Sequence, residues 1–202
     1  MRLRALAAIT ATTALILAPT SVAMADNVDP GQGMTHMKTS TGLLTTLEAV
    51  GVVMYVQGGA TASVMGDSIA SPDGRMILHV PITSDRGVIK HQGSIFTLFN
   101  TSTEQQVQLQ NPTINLKRGT VKATVRQADN TTLTVFTIRN ASQLKPKVTI
   151  ENGIRTTTYV GARLTLAPGI AGTLTSLLGM PEGTLAERAP FATADITLKA
   201  AA

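Results

Sequence analysis

The side chains in this sequence best suited to chemistry near neutral pH are three histidines, His36, His79 and His91. An imidazole can ligate a metal or move a proton, because it titrates at about pH 6.5. His79 lies in the segment RMILHV, whose alternation places it with Arg75 on the solvent side of a strand. A metal site made of His79 and His91 requires that their strands pair, and the sequence indicates no third ligand. The metal ligands therefore stay unassigned at this level.

His91 lies in the segment GVIKHQGSIF, between two groups of aliphatic residues. Period-two alternation places it on the same face as Ile89. Gln92 and Gly93 then turn the chain toward the next predicted strand. The residues alone favour a role for His91 mainly as a strand-end residue.

The usual catalytic motifs are missing from the sequence. There is no cysteine, which excludes a disulfide framework and a thiol nucleophile. The segment GDSIAS lacks the final glycine of a G-x-S-x-G elbow, and neither H-E-x-x-H nor a phosphate-binding glycine loop is present. A Ser/His/Asp set assembled only in space stays open as an alternative. We predict a protein that is not an enzyme.

The first 25 residues have the pattern of a secretory signal peptide. Arg2 and Arg4 precede an apolar run, and Ala23-Met24-Ala25 fits the small-x-small cleavage pattern. A membrane anchor is the alternative, but the apolar run is shorter than the roughly 20 residues needed to span a bilayer. We expect cleavage after Ala25 and a secreted, extracellular product without a membrane span. Its formal charge would be +3, since the signal removes two arginines and no acid.

The remaining chain has the organisation of one β-rich domain. Residues 26–42 are polar and glycine-containing, which predicts a flexible lead. From residue 43 to residue 199, short alternating segments are separated by turn residues, including hairpin signals at Ala128–Thr131 and Glu151–Gly153. Helical spacing recurs near residues 43–50 and 170–178. The predicted fold is all-β, an antiparallel sandwich or barrel-like domain with two short helices.

Several segments, in order, resemble the HtaA-type domain of secreted and surface haem-uptake proteins of actinobacteria. They are LLTTLEAVGV, RMILHVPITSDRGVIKHQGSIF, VQLQNPTINLKRGTVKATV, TLTVFTI and a long closing segment from Gly161 to Leu198. The most specific part is V-P-I-T at Val80–Thr83 followed by G-V-I-K-H-Q-G at Gly87–Gly93. The resemblance covers most of residues 43–198.

The resemblance implies an all-β domain that holds haem in a surface pocket. In that family an N-terminal tyrosine ligates the iron, and the histidine of G-x-I-x-H-x-G, here His91, supports that tyrosine through a hydrogen bond. The region before Leu43 contains no tyrosine, and Tyr55 follows the first helix instead. The candidate ligand-binding residues are therefore His91 and Tyr55. Met34, His36 and Met37 are chemically able to ligate iron but lack the family's support.

Two functions follow as hypotheses. The first is a secreted, non-enzymatic binding module whose cofactor or cargo is haem or another flat apolar ligand. The alternative is an extracellular or cell-envelope structural or interaction domain that keeps the fold without binding haem, and its partner would belong to the envelope. Four phenylalanines, two tyrosines and no tryptophan argue against base stacking, and we expect no nucleic-acid partner.

Overall fold

The computed structural model describes residues 33–65, 74–85 and 87–202. The predicted signal peptide and the first part of the predicted lead lie outside these residues. Among the described residues there are twelve strands: β1 (Met34–Thr39), β2 (Val52–Gly58), β3 (Thr61–Met65), β4 (Arg75–Pro81), β5 (Ile89–Lys90), β6 (Ser94–Asn100), β7 (Gln105–Asn115), β8 (Thr120–Val125), β9 (Thr131–Ile138), β10 (Lys147–Glu151), β11 (Ile154–Leu166) and β12 (Pro190–Ala201). The same part of the chain has two α-helices, α1 (Leu43–Glu48) and α2 (Ile170–Leu177).

All twelve strands belong to one antiparallel sheet that curls into a nearly closed barrel. Its main path runs β2-β6-β7-β8-β9-β11-β12-β1-β4-β3, with β5 added beside β7 and β10 added beside β11. The end strands β2 and β3 are consecutive in the chain and contact each other, which brings the two sheet edges together. The predicted all-β fold with two short helices is confirmed.

Alternation along the strands determines which side chains fill the barrel. On β4, Met76, Leu78 and Val80 are buried while the residues between them are not, as the sequence predicts. Strand β8 follows the same rule, with Val121 and Ala123 buried inside. Because successive side chains leave a strand on opposite faces, each strand supplies one apolar row to a shared core.

The predicted flexible lead at residues 26–42 is wrong where the structure describes it. Strand β1 occupies Met34–Thr39 and lies inside the sheet, between β12 and β4. Its inward-facing residues are Thr35, Met37 and Thr39, all of them buried. The hydroxyl oxygen of Thr39 accepts a hydrogen bond from the backbone N–H of Met76, with an N···O distance of 2.9 Å. A threonine hydroxyl satisfied in this way can occupy the interior, so a strand of polar composition is stable here.

The two helices cover one end of the barrel. Helix α1 follows β1 and packs against β2 and β4, burying Leu43, Leu44 and Leu47. Helix α2 packs against β7, and the carbonyl of Leu178 just after it accepts a hydrogen bond from Asn100 Nδ2 at 2.8 Å. Neither helix carries histidine, and no helix among the described residues has the length and apolar character to cross a membrane.

Strands β11 and β12 are longer than the others and extend past the barrel. Beyond Tyr159, which pairs with Ile196, they continue with β10 as a three-stranded ribbon. A two-residue turn at Asn152 and Gly153, with φ of 51° and 73°, joins β10 to β11 and confirms the predicted hairpin. Positive φ at both turn positions is the type I′ geometry that Asn-Gly favours.

Candidate functional site

His91 lies directly after β5 and turns its ring into the barrel, where only 2% of its surface is exposed. Its Nδ1 is 3.1 Å from the carbonyl oxygen of Pro112, and its Nε2 is 2.9 Å from the hydroxyl of Thr35. A carbonyl can only accept, so Nδ1 carries the proton and donates it to Pro112. Nε2 is then the acceptor for the Thr35 hydroxyl. Both ring nitrogens are therefore occupied.

Burial also fixes the charge of this imidazole. Desolvation lowers the pKa of His91 from 6.5 to about 4, and the hydrogen bond to Pro112 opposes part of that shift. The charged form is disfavoured because the interior cannot replace the water that would solvate it. His91 is therefore neutral at physiological pH, with a single preferred tautomer.

The space beside His91 is small. The barrel interior contains a cavity of about 30 Å³, lined mainly by apolar side chains such as Phe96, Leu109 and Val135. Pockets that hold cofactors or drug-sized ligands measure about 300 to 1,000 Å³. This cavity has room for about one water molecule. The interior around His91 is therefore a packed core and offers no space for a flat ligand.

Tyr55, the other candidate ligand-binding residue, does not contact His91. It lies on β2 opposite Thr97, and its half-buried side chain alternates with the buried Val52 and Met54. Tyr55 is thus on the outer face of the sheet, while His91 is on the inner face. The structure does not bring these two residues into one site.

The structure instead pairs His36 with His79. The two residues are directly opposite each other on β1 and β4, with their side chains on the outer face. Their Nδ1 atoms are 2.8 Å apart and their rings are nearly perpendicular, with centroids 4.9 Å apart. The condition for a site made from His79 and His91 is not met, because β5 pairs with β7 and not with β4. His91, directly after β5, points inward.

A carboxylate continues this outer row on the next strand. Asp195 on β12 is directly opposite His36, and its Oδ1 accepts the backbone N–H of Gly161 at 2.7 Å. A shallow cavity of about 210 Å³ lies beside the row and includes His36, Lys38 and Asp195. Within the described part of the chain, no three His, Cys, Asp or Glu side chains are close enough to hold a metal together. The row therefore supplies two imidazoles as possible ligands. The remaining coordination positions of a bound ion would be filled by solvent or by another ligand.

The two methionines near His36 divide between the faces of β1. Met37 is buried and lines the interior cavity, whereas the half-buried Met34 shares the outer face with His36. Only His36 among the N-terminal candidates is exposed. The sequence could have placed it outside by alternation with Thr35 and Met37, had residues 34–39 been recognised as a strand.

Comparison with known proteins does not assign this chain to a family. No protein-family model matches the sequence, and no similar protein was found among curated proteins or solved structures. The function must therefore be argued from the described residues themselves.

Proposed function

We propose that the mature chain is an exported, non-enzymatic binding module that ligates a transition-metal centre through His36 and His79. The centre is either haem iron or a free divalent ion such as Cu²⁺, Ni²⁺ or Zn²⁺. The observation that carries this proposal is the 2.8 Å separation of the two Nδ1 atoms on the exposed face of adjacent strands. Imidazole is a ligand common to all of these metals.

The separation suits two neighbouring positions on one metal ion. Nitrogens bound at about 2.0–2.1 Å in adjacent coordination positions lie about 2.9–3.3 Å apart. The strand ladder sets the spacing of His36 and His79, so little rearrangement of the backbone is needed. In the structure the two Nδ1 atoms are hydrogen-bonded, so one imidazole donates its N–H to the other. Ligation of an ion by both Nδ1 atoms would require that imidazole to carry its proton on Nε2 instead. For haem, one imidazole would ligate the iron and the other would be available as a hydrogen-bond partner.

The interior histidine is a poor fit for the same chemistry. Both nitrogens of His91 are engaged, and the neighbouring cavity is about 30 Å³. Its hydrogen-bond partner from the N-terminal strand is Thr35, an aliphatic alcohol, rather than the phenol that the family resemblance implies for iron. This supports an outer site for any metal centre and a packing role for His91.

A titration distinguishes the two sources of metal. The mature protein is titrated with hemin, followed by its Soret band, and separately with Cu²⁺, Ni²⁺ and Zn²⁺ by calorimetry. We expect saturable binding that His36→Gln and His79→Gln each weaken at least about tenfold, as loss of one of two ligands predicts. Lys122→Gln, an exposed position on β8 that does not neighbour β1 or β4 in the sheet, is the control and should bind like the wild type.

Three outcomes would overturn the proposal. These are no binding of hemin or of any ion at micromolar protein, binding by both histidine variants that is as strong as in the wild type, and loss of binding in Lys122→Gln. A Soret shift abolished by Tyr55→Phe but kept in the histidine variants would move the site to β2. A Soret shift that is abolished in a folded His91→Ala variant would place the site in the barrel interior.

The alternative function, an interaction domain of the envelope, is favoured by a different observation. The ribbon formed by β10 and the outer parts of β11 and β12 exposes Val148, Ile150 and Ile154. Large apolar side chains grouped on one protruding element are typical of a contact surface. The metal titration does not involve this ribbon, so the two functions can be tested separately.

A further inference from the structure

Strand β10 is an edge strand with an unpaired side. It pairs with β11, and no other strand of the described chain lies against it. All five of its residues are exposed, with 51% of Val148 and 64% of Ile150 accessible. An exposed edge presents unpaired N–H and C=O groups that can add another strand.

The hairpin geometry identifies which backbone groups are free. Glu151 and Ile154 flank the two-residue turn and therefore form a hydrogen-bonded pair. Alternation along β10 then directs the N–H and C=O groups of Glu151, Thr149 and Lys147 toward β11. The corresponding groups of Val148 and Ile150 point to the open edge, and their side chains share one face of the ribbon.

The sequence of this edge, Lys-Val-Thr-Ile-Glu, is complementary to itself when reversed. We propose that β10 pairs antiparallel with β10 of a second copy of this chain, with Thr149 on the two-fold axis. Val148 then pairs with Ile150 of the second copy through the open backbone groups. Lys147 faces Glu151 of the second copy, which gives two opposite-charge pairs in each dimer. Cross-strand pairs of opposite charge stabilise a sheet.

Charge and proline both select this register. A parallel arrangement would bring Lys147 near Lys147 of the second copy, which like-charge repulsion opposes. A shift that centres the pairing on Val148 would place Ile150 opposite Pro146, which has no N–H to donate. A shift that centres it on Ile150 separates Lys147 from Glu151. Only the register centred on Thr149 keeps the hydrogen bonds and both charge pairs.

The proposed contact is small, so the dimer should be weak and dependent on concentration. This proposal rests on the alternative function, an interaction domain, and its partner is a second copy of the chain. It does not depend on metal binding by His36 and His79. Two molecules joined in this way would form a six-stranded ribbon from their β10, β11 and β12 strands. The symmetry is the two-fold that an isologous contact requires.

Charge reversal with rescue tests the pairing. The mature chain is studied by sedimentation velocity from about 1 μM to 1 mM. We expect a reversible dimer in the wild type, and a dissociation constant raised about tenfold or more in Lys147→Glu and in Glu151→Lys, since each places like charges opposite one another twice. The double variant Lys147→Glu/Glu151→Lys should restore dimerisation. Lys199→Glu, an equal charge change on β12 in the same ribbon, should leave it unchanged.

Circular dichroism of each variant confirms that the fold is retained before its assembly is compared. A wild-type chain that stays monomeric over the whole concentration range overturns the proposal. So does a dimer whose strength is the same in the wild type and both single variants, or a double variant that is as weak as the single ones. Loss of the dimer in Lys199→Glu would point to general repulsion rather than to this register.

Discussion

The buried imidazole of His91 should make the stability of this protein sensitive to mild acid. In the folded chain the pKa of His91 is lowered to about 4 by burial, whereas an unfolded histidine titrates near 6.5. Between these pH values the unfolded chain binds a proton that the folded chain does not. The free energy of unfolding therefore rises with pH through this window. The contribution of His91 to stability is lost as the pH falls.

The size of the effect follows from the difference between the two pKa values. Integrating over the titration gives a loss of about 2 kcal/mol between pH 7.5 and 5, which grows to about 3 kcal/mol at pH 4. Domains are typically stable by 5–15 kcal/mol, so this single group accounts for a substantial fraction. Carboxylates also titrate toward the acid end, so the effect must be measured against a variant that lacks only this imidazole.

The variant His91→Asn removes the titration while its amide can still donate to the carbonyl of Pro112. Urea unfolding of both proteins at about pH 7.5, 6.5, 5.5 and 5 gives the free energy of unfolding at each pH. We expect the wild type to lose about 2 kcal/mol more than the variant over this range. Parallel loss in the wild type and in His91→Asn would refute the argument that burial keeps this imidazole neutral.

Two further predictions concern single contacts. Thr35→Val leaves Nε2 of His91 buried without a partner and should lower the free energy of unfolding by about 1–3 kcal/mol, measured in urea. Thr35→Ser keeps the hydroxyl and should lose less, and equal losses would show that the hydrogen bond contributes nothing. Gly58→Ala should melt clearly below Gly93→Ala, since both glycines have positive φ but only at Gly58 would the new Cβ meet a backbone oxygen, at 1.8 Å. Equal melting temperatures would contradict this steric argument.

Much of the strand content could be predicted because apolar residues that face inward alternate with polar residues that face outward. The apolar row of β4 and the Asn152-Gly153 turn are local features, so the sequence around them determines them. Strand β1 could not be found in this way. Two of its inward residues, Thr35 and Thr39, are polar, and their hydroxyls are satisfied by His91 and by the N–H of Met76. These partners are distant in sequence, so the local pattern resembles a polar loop.

The candidate site was predictable only one residue at a time. Alternation correctly placed His79 outside and put His91 on the face of Ile89, and the structure agrees with both. Their partners depend on the order of the strands in the sheet. His36 meets His79 only because β1 pairs with β4, and Thr35 reaches His91 only because the barrel curls. Neither fact is encoded in the spacing of residues along the chain.

The position of His91 explains why a polar ring occupies an otherwise apolar core. Thr35 belongs to β1 and Pro112 to β7, and four strands separate β1 from β7 along the sheet path. The ring therefore bridges opposite walls of the barrel through one hydrogen bond on each nitrogen. An apolar side chain could fill the space but would leave the Pro112 carbonyl without this donor and Thr35 without its acceptor. Because these two hydrogen bonds occupy both ring nitrogens, His91 cannot also ligate a metal. Any metal chemistry must therefore be sought on the outer face.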